Sequence, residues 1–185
     1  MPDFLPTPIA SLASLFEAPV ATPATQKFLR FRLHSTQSLL IAVESIVAVQ
    51  ALTIAEVLPV PQMNPAVMGI YNWRGDAIWL VDLAQQIGFP SLAEQPSKTL
   101  MTIVVQSGSQ RLGVVVPEVY EIEQHNPDEL LLPAPNLFSH PFISFVKGYF
   151  SHEVSRENQP QRSIVLNVSA VFQDPALQIH DLNSF

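Results

Sequence analysis

The sequence predicts an all-β protein built from two diverged copies of one small β unit, with short helices at its flanks. Three observations carry that prediction. From residue 27 to residue 172, short runs of Val, Ile, Leu and Phe recur with turn signals between them, and no long segment has a 3.6-residue period. The same order of signals occurs twice. Apolar residues make up 48% of the 185 and charged residues only 14%, which supplies surface for a core and excludes disorder, since disorder needs the reverse balance.

Residues 1–26 form a proline-rich arm, with prolines at 2, 6, 8, 19 and 23. Thr7 suits a helix N-cap and Pro8 the first helical position, and Ile9, Leu12 and Phe16 then share one face. Such a helix either packs on its own domain or docks on a partner. In residues 28–33, Leu29, Phe31 and Leu33 alternate with Arg30 and Arg32, the pattern of a strand with one dry face. Residues 34–38 are a polar turn into an apolar run at 39–43, so this region reads as a hairpin.

The repeat begins inside that hairpin. Residues 41–49 and 114–122 are matching strand-turn-strand runs, each followed by a proline signal, Pro59 and Pro61 in one copy and Pro133 and Pro135 in the other. Each copy then reaches a glycine between apolar residues, Gly69 and Gly148, and closes with a matching strand at 79–83 and 164–168. Asp82 and Asn167 align as N-caps of short helices over 84–87 and 169–172. The copies, at about 27–90 and 99–172, are joined by a polar linker at 89–98 and must bury apolar faces against each other, because neither has much core alone. The second copy adds a polar loop at 151–163. Asp174-Pro175 opens a C-terminal helix over 176–182 within the tail 173–185.

Composition narrows the chemistry. Nine Lys+Arg against sixteen Asp+Glu give a net charge of −7, and the three lysines (Lys27, Lys98, Lys147) cannot form a phosphate-binding cluster, so no nucleic acid is expected as partner. A chain with no cysteine has no disulfide, thiolate chemistry or cysteine-held metal, which suits a reducing compartment. No apolar run approaches the roughly 18 residues needed to cross a membrane, and Met1-Pro2-Asp3 does not open a secretion signal. A cytoplasmic protein without direct membrane insertion is expected. The five histidines (34, 125, 140, 152, 180) are scattered without metal-ligand spacing. Strand alternation puts Tyr120 and Ile122 inward and Glu118, Glu121 and Glu123 outward as a solvated face. With six glycines and no glycine-rich loop before a helix, nothing cradles phosphate. No catalytic residues, cofactor or metal are expected.

The segment 69–76 stands apart, with Asn72, Trp73 and Arg74 in a loop bracketed by Gly69 and Gly75. Arg74 is the only arginine between Arg32 and Arg111. Its five-donor fork can brace a turn or grip a partner's carboxylate. Asn72-Trp73-Arg74-Gly75, with the prolines before it and the strand at 78–83 after it, resembles the Asn-Leu-Arg-Gly signature of CheW-like domains, and the resemblance spans roughly 27–172.

The resemblance implies two small five-stranded SH3-like β-barrel subdomains packed on a shared hydrophobic core, with no catalytic activity. It implies an adaptor whose partners are a CheA-type histidine kinase and a methyl-accepting chemoreceptor, in an array serving chemotaxis, phototaxis or type IV pilus motility. A similar module could instead recruit a pilus motor or a response regulator. By matching position, Ala48, Gln50, Asn72, Trp73, Arg74 and Gly75 are the protein-binding residues, with Ala48 and Gln50 lining the same groove as the loop. Three positions depart from the family. Gln50 stands where a glutamate often pairs with the motif arginine. Pro117 replaces an aspartate, so its strand should end there or sit at an edge. Trp73 replaces the usual leucine and adds a side chain common at interface hot spots.

Overall fold

The computed structural model describes residues 24–34, 37–92, 100–152, 161–175 and 177. The helix expected in the arm, the middle of the linker and most of the expected C-terminal helix lie outside these residues. Ten strands are present among them: β1 (Gln26–His34), β2 (Gln37–Ala42), β3 (Ile46–Leu52), β4 (Val67–Trp73), β5 (Asp76–Asp82), β6 (Leu100–Ser107), β7 (Gln110–Val116), β8 (Glu118–His125), β9 (Val146–His152) and β10 (Gln161–Leu166). Two short helices follow the closing strands, α1 (Leu83–Gln86) and α2 (Val168–Gln173).

The strands form two five-stranded sheets. Sheet I has the order β8-β1-β2-β10-β9 and sheet II the order β3-β6-β7-β5-β4. Replacing each of β1 to β5 by its counterpart among β6 to β10 converts one order into the other, so the duplication read in the sequence is a duplication of structure. The sheets do not follow the halves of the chain, however. Sheet I takes β1 and β2 from the first copy and β8 to β10 from the second; sheet II takes β6 and β7 from the second and β3 to β5 from the first. The joints are parallel pairs, β2 with β10 (Leu39↔Ile164, Leu40↔Val165) and β5 with β7 (Trp79↔Leu112 to Asp82↔Val115). Parallel neighbours need a long crossover, and here β3 to β9 or α1 to β6 supply it.

The alternation in β1 buries Leu29, Phe31 and Leu33 in one large cluster, with Leu39 and Ile41 of β2, Leu80 of β5, Ile103 to Val105 of β6 and Val114 to Val116 of β7. This cluster joins the two sheets. A second, smaller cluster of Phe28, Leu40, Phe150 and Val165 fills the other side of sheet I. In each copy the chain after the third strand crosses back over a glycine. Leu58 bridges to Ile70 beside Gly69, and Leu131 bridges to Tyr149 beside Gly148. Asp82 Oδ1 accepts the Gln85 N–H and Asn167 Oδ1 the Ala170 N–H, so both expected caps are made. Pro117 separates β7 from β8, as its missing N–H requires.

One expectation is overturned on β8. Ile122 is 56% exposed, while Glu123 is half-buried against Arg30 and His125. The cause is an irregularity in the β1–β8 pairing between Leu29 and Phe31, which shifts which β8 side chains face the core. Burial raises the Glu123 carboxyl, but hydrogen bonds from Arg30 and His125 outweigh it and hold the group below the ordinary carboxylate range. A carboxyl depressed in the folded chain stabilises the fold above its unfolded value and stops doing so as pH falls through the folded one. Glu123→Gln is therefore expected to cost about 1–2 kcal/mol at pH 7, by urea unfolding. The gap to wild type should narrow as pH drops below the usual carboxylate range.

Candidate protein-docking site

The β4–β5 hairpin is closed by the pair Trp73↔Asp76, leaving Arg74 and Gly75 as a two-residue loop. Both have positive φ, 53° and 95°, as in a type I′ turn, which prefers Asn-Gly. Gly75 suits its place. Arg74 does not, because its Cβ is strained in the left-handed region. Asn72 Oδ1 accepts the Gly75 N–H at 2.9 Å and braces the turn from outside.

The result is an arginine held out on a rigid tip. Arg74 is exposed, and among the described residues its guanidinium makes no hydrogen bond or ion pair. It lies over the Trp73 ring, 5.2 Å from guanidinium carbon to ring centroid. Arg111 approaches the same ring at 5.5 Å and is engaged by Asp76 at 3.0 Å. Trp73 itself is 6% exposed and belongs to the main core, with its indole N–H buried and without an acceptor. Trp73, expected among the protein-binding residues, lies in the core: the indole anchors the hairpin, and period-2 alternation from Gly69 and Tyr71 puts it inward.

Gln50 does not reach Arg74. Its Nε2 donates to the Tyr71 hydroxyl at 2.8 Å, linking β3 to β4, the two edges of sheet II. The hydrogen bond brings the strand of Ala48 and Gln50 beside the hairpin of Asn72, Arg74 and Gly75. Ala48 and Gln50 are half-buried on one face of β3, while Val47, Val49 and Ala51 on the other are exposed, Val47 at 41% and Val49 at 39%. Ile54 and Leu58, just beyond β3, are 51% and 68% exposed. This exposed apolar row was not among the expected site residues. Its signal was available: β3 reads Ile-Val-Ala-Val-Gln-Ala-Leu, an edge strand with none of the charges that ordinarily protect an edge.

The arrangement offers an unpaired cation, an adjoining neutral apolar strip and a rigid scaffold. Among the described residues no group of His, Asp and Glu is placed to hold a metal ion, and no helix is long and apolar enough to cross a membrane.

Comparison with known proteins agrees with this architecture. The family model of the CheW-like domain matches residues 8–176. Among solved structures, the chain resembles the scaffolding protein TtCheW from Thermoanaerobacter tengcongensis, with a TM-score of 0.65 and 18% identity over 80% of this chain and 88% of that one. No curated protein matches. The two mirrored SH3-like sheets, the Asn72–Gly75 turn and the span of the family match together make this chain a member of the CheW-like domain family.

Proposed function

We propose that the protein is a non-enzymatic cytoplasmic adaptor that couples a methyl-accepting chemoreceptor to a CheA-type histidine kinase. The observation that supports this most is Arg74. A residue that local backbone chemistry disfavours is kept at the tip of a braced hairpin with its charge unspent, the usual mark of a functional position. Asn72 and Gly75 shape that tip, while Ala48, Gln50 and the exposed β3 row supply apolar contact beside it. A carboxylate on the partner would take the bidentate fork of Arg74. Trp73 contributes by fixing the hairpin from below. Coupling needs no chemistry: with receptor and kinase held on separate surfaces, a bias in one changes the equilibrium of the other.

Two substitutions test the reading. Arg74→Glu should weaken binding of the receptor's cytoplasmic tip or of the kinase's regulatory domain by about tenfold or more, about 1.4 kcal/mol, in calorimetric titrations. Arg74→Asn should weaken it comparably while leaving the fold as stable as wild type or a few tenths of a kcal/mol more so, because Asn-Gly suits the turn. Normal binding of both partners by a folded Arg74→Glu chain overturns the site.

A further inference from the structure

Sheet I has its two edge strands, β8 and β9, at opposite ends of its order, yet their side chains meet. The His125 ring of β8 stacks on the Phe150 ring of β9 with centroids 4.3 Å apart and 7° between planes. It also lies 5.6 Å from the ring of His152, two residues further along β9. Sheet I therefore curls until a seam of aromatic and imidazole rings closes it, over the cluster of Phe28, Leu40, Phe150 and Val165.

We propose that the His125–His152 pair is a proton-sensitive catch on this seam, closed when at most one ring is charged and loosened when both are. Among the described residues the charged and titratable neighbours are few. From β8, Glu123 Oε2 lies 2.9 Å from His125 Nε2. From β1, Arg30 holds Glu123 through two nitrogens and donates to Ser163 Oγ at 2.9 Å. From β10, Ser163, 2% exposed, contacts His152 Nε2 at 2.8 Å. Gln26, opposite His125 in register, engages Glu44 instead, and Lys27 is exposed.

With both rings neutral, Arg30 and Glu123 cancel, and Ser163 accepts from Arg30 while offering its own proton to His152. A charge on His125 alone is met by the Glu123 carboxylate it faces. A second, on His152, meets three penalties. It stands one ring away from the His125 cation, it turns Ser163 into an acceptor for two cations, and it leaves Glu123 as the one carboxylate among the described residues clustered with Arg30, His125 and His152. His125 is 12% and Glu123 19% exposed at the side chain, so water screens these charges little. Opening the seam relieves the repulsion by separating β9 from β8. Imidazole is the side chain whose charge changes on mild acidification. Sheet II has no counterpart, since its edges are joined by the uncharged Gln50–Tyr71 bond.

The test uses the full chain without any partner. Histidine ring signals are followed by NMR between pH 8 and pH 5, and amide hydrogen exchange is measured at pH 7.5 and 5.5 after correction for intrinsic rates. The two ring titrations should be coupled, each sensing the charge on the other. Amides at 123–125 and 148–152 should lose about tenfold protection relative to those of β3 and β6. His152→Gln should abolish that relative loss. Two independent single-site titrations, equal loss of protection in both sheets, or an undiminished loss in His152→Gln each overturns the proposal. Should that variant not fold, the wild-type ring titrations decide alone.

Discussion

Gly69→Ala is expected to destabilise the protein by about 3 kcal/mol or more, read as a fall in the urea midpoint at constant slope. Two independent causes act at this residue. Its φ of 142° is one that side-chain-bearing residues rarely adopt, and a Cβ there would overlap the Leu58 carbonyl oxygen and sit 2.8 Å from the carbonyl carbon. The obstacle is backbone, held by the Leu58–Ile70 bridge with hydrogen bonds of 2.8 and 2.9 Å, so it cannot swing aside. Gly148→Ala has the steric cause without the positive φ, its Cβ lying 2.7 Å from Leu130 Cγ and 2.8 Å from the Leu131 oxygen. It should cost less than Gly69→Ala. Gly75→Ala, with φ 95° and nothing near its Cβ, should cost about 1 kcal/mol, the strain alone. An order other than 69, 148, 75 would show that the crossings are looser than their geometry.

Asp82→Ala is expected to cost about 3 kcal/mol, against about 1 kcal/mol for Asn167→Ala. The two residues occupy equivalent caps, and each offers its own N–H to the crossing chain, Asp82 to the Ala66 carbonyl and Asn167 to the Phe145 carbonyl, both at 2.8 Å. They differ in what the side chain holds. Asn167 accepts one N–H, from Ala170 at 3.2 Å. Asp82, 1% exposed, accepts the Gln85 N–H at 3.1 Å with Oδ1, and with Oδ2 the Ser91 hydroxyl at 3.0 Å and the Leu92 N–H at 2.6 Å. Truncation leaves the buried Leu92 N–H without its acceptor and frees the start of the linker. Thermal unfolding of the two variants side by side measures the difference.

The comparison of copies explains how far the sequence could be read. Asp82 and Asn167, Gly69 and Gly148, and the strand-turn-strand runs at 41–49 and 114–122 were legible because each depends on local rules: a cap needs a short acceptor, a close crossing needs a missing Cβ, and a pleated strand needs alternation. Strand exchange was not. The Leu39↔Ile164 and Trp79↔Leu112 pairings join residues far apart in the chain, and nothing in either run names its distant neighbour. At the site, the glycine-bracketed turn followed from residue types and spacing, whereas the bracing of that turn by Asn72 with Arg74 left out of it did not. The inward placement of Trp73 was not legible because an indole suits a core as well as an interface, and only the register of β4 decides. The partner of Gln50 was invisible for the same reason: Tyr71 becomes its neighbour only when sheet II curls.

The exchange of strands also sets an order on how the chain can mature during synthesis. All members of sheet II have left the ribosome once β7 ends at Val116, whereas sheet I waits for β10, which ends at Leu166. Until then β1 and β2 form a ribbon whose β2 edge lacks its β10 neighbour, with Leu40 not yet covered by Phe150 and Val165. The nascent protein must shelter that ribbon while some fifty further residues emerge, so translation stalled between β8 and β9 would strand an aggregation-prone intermediate.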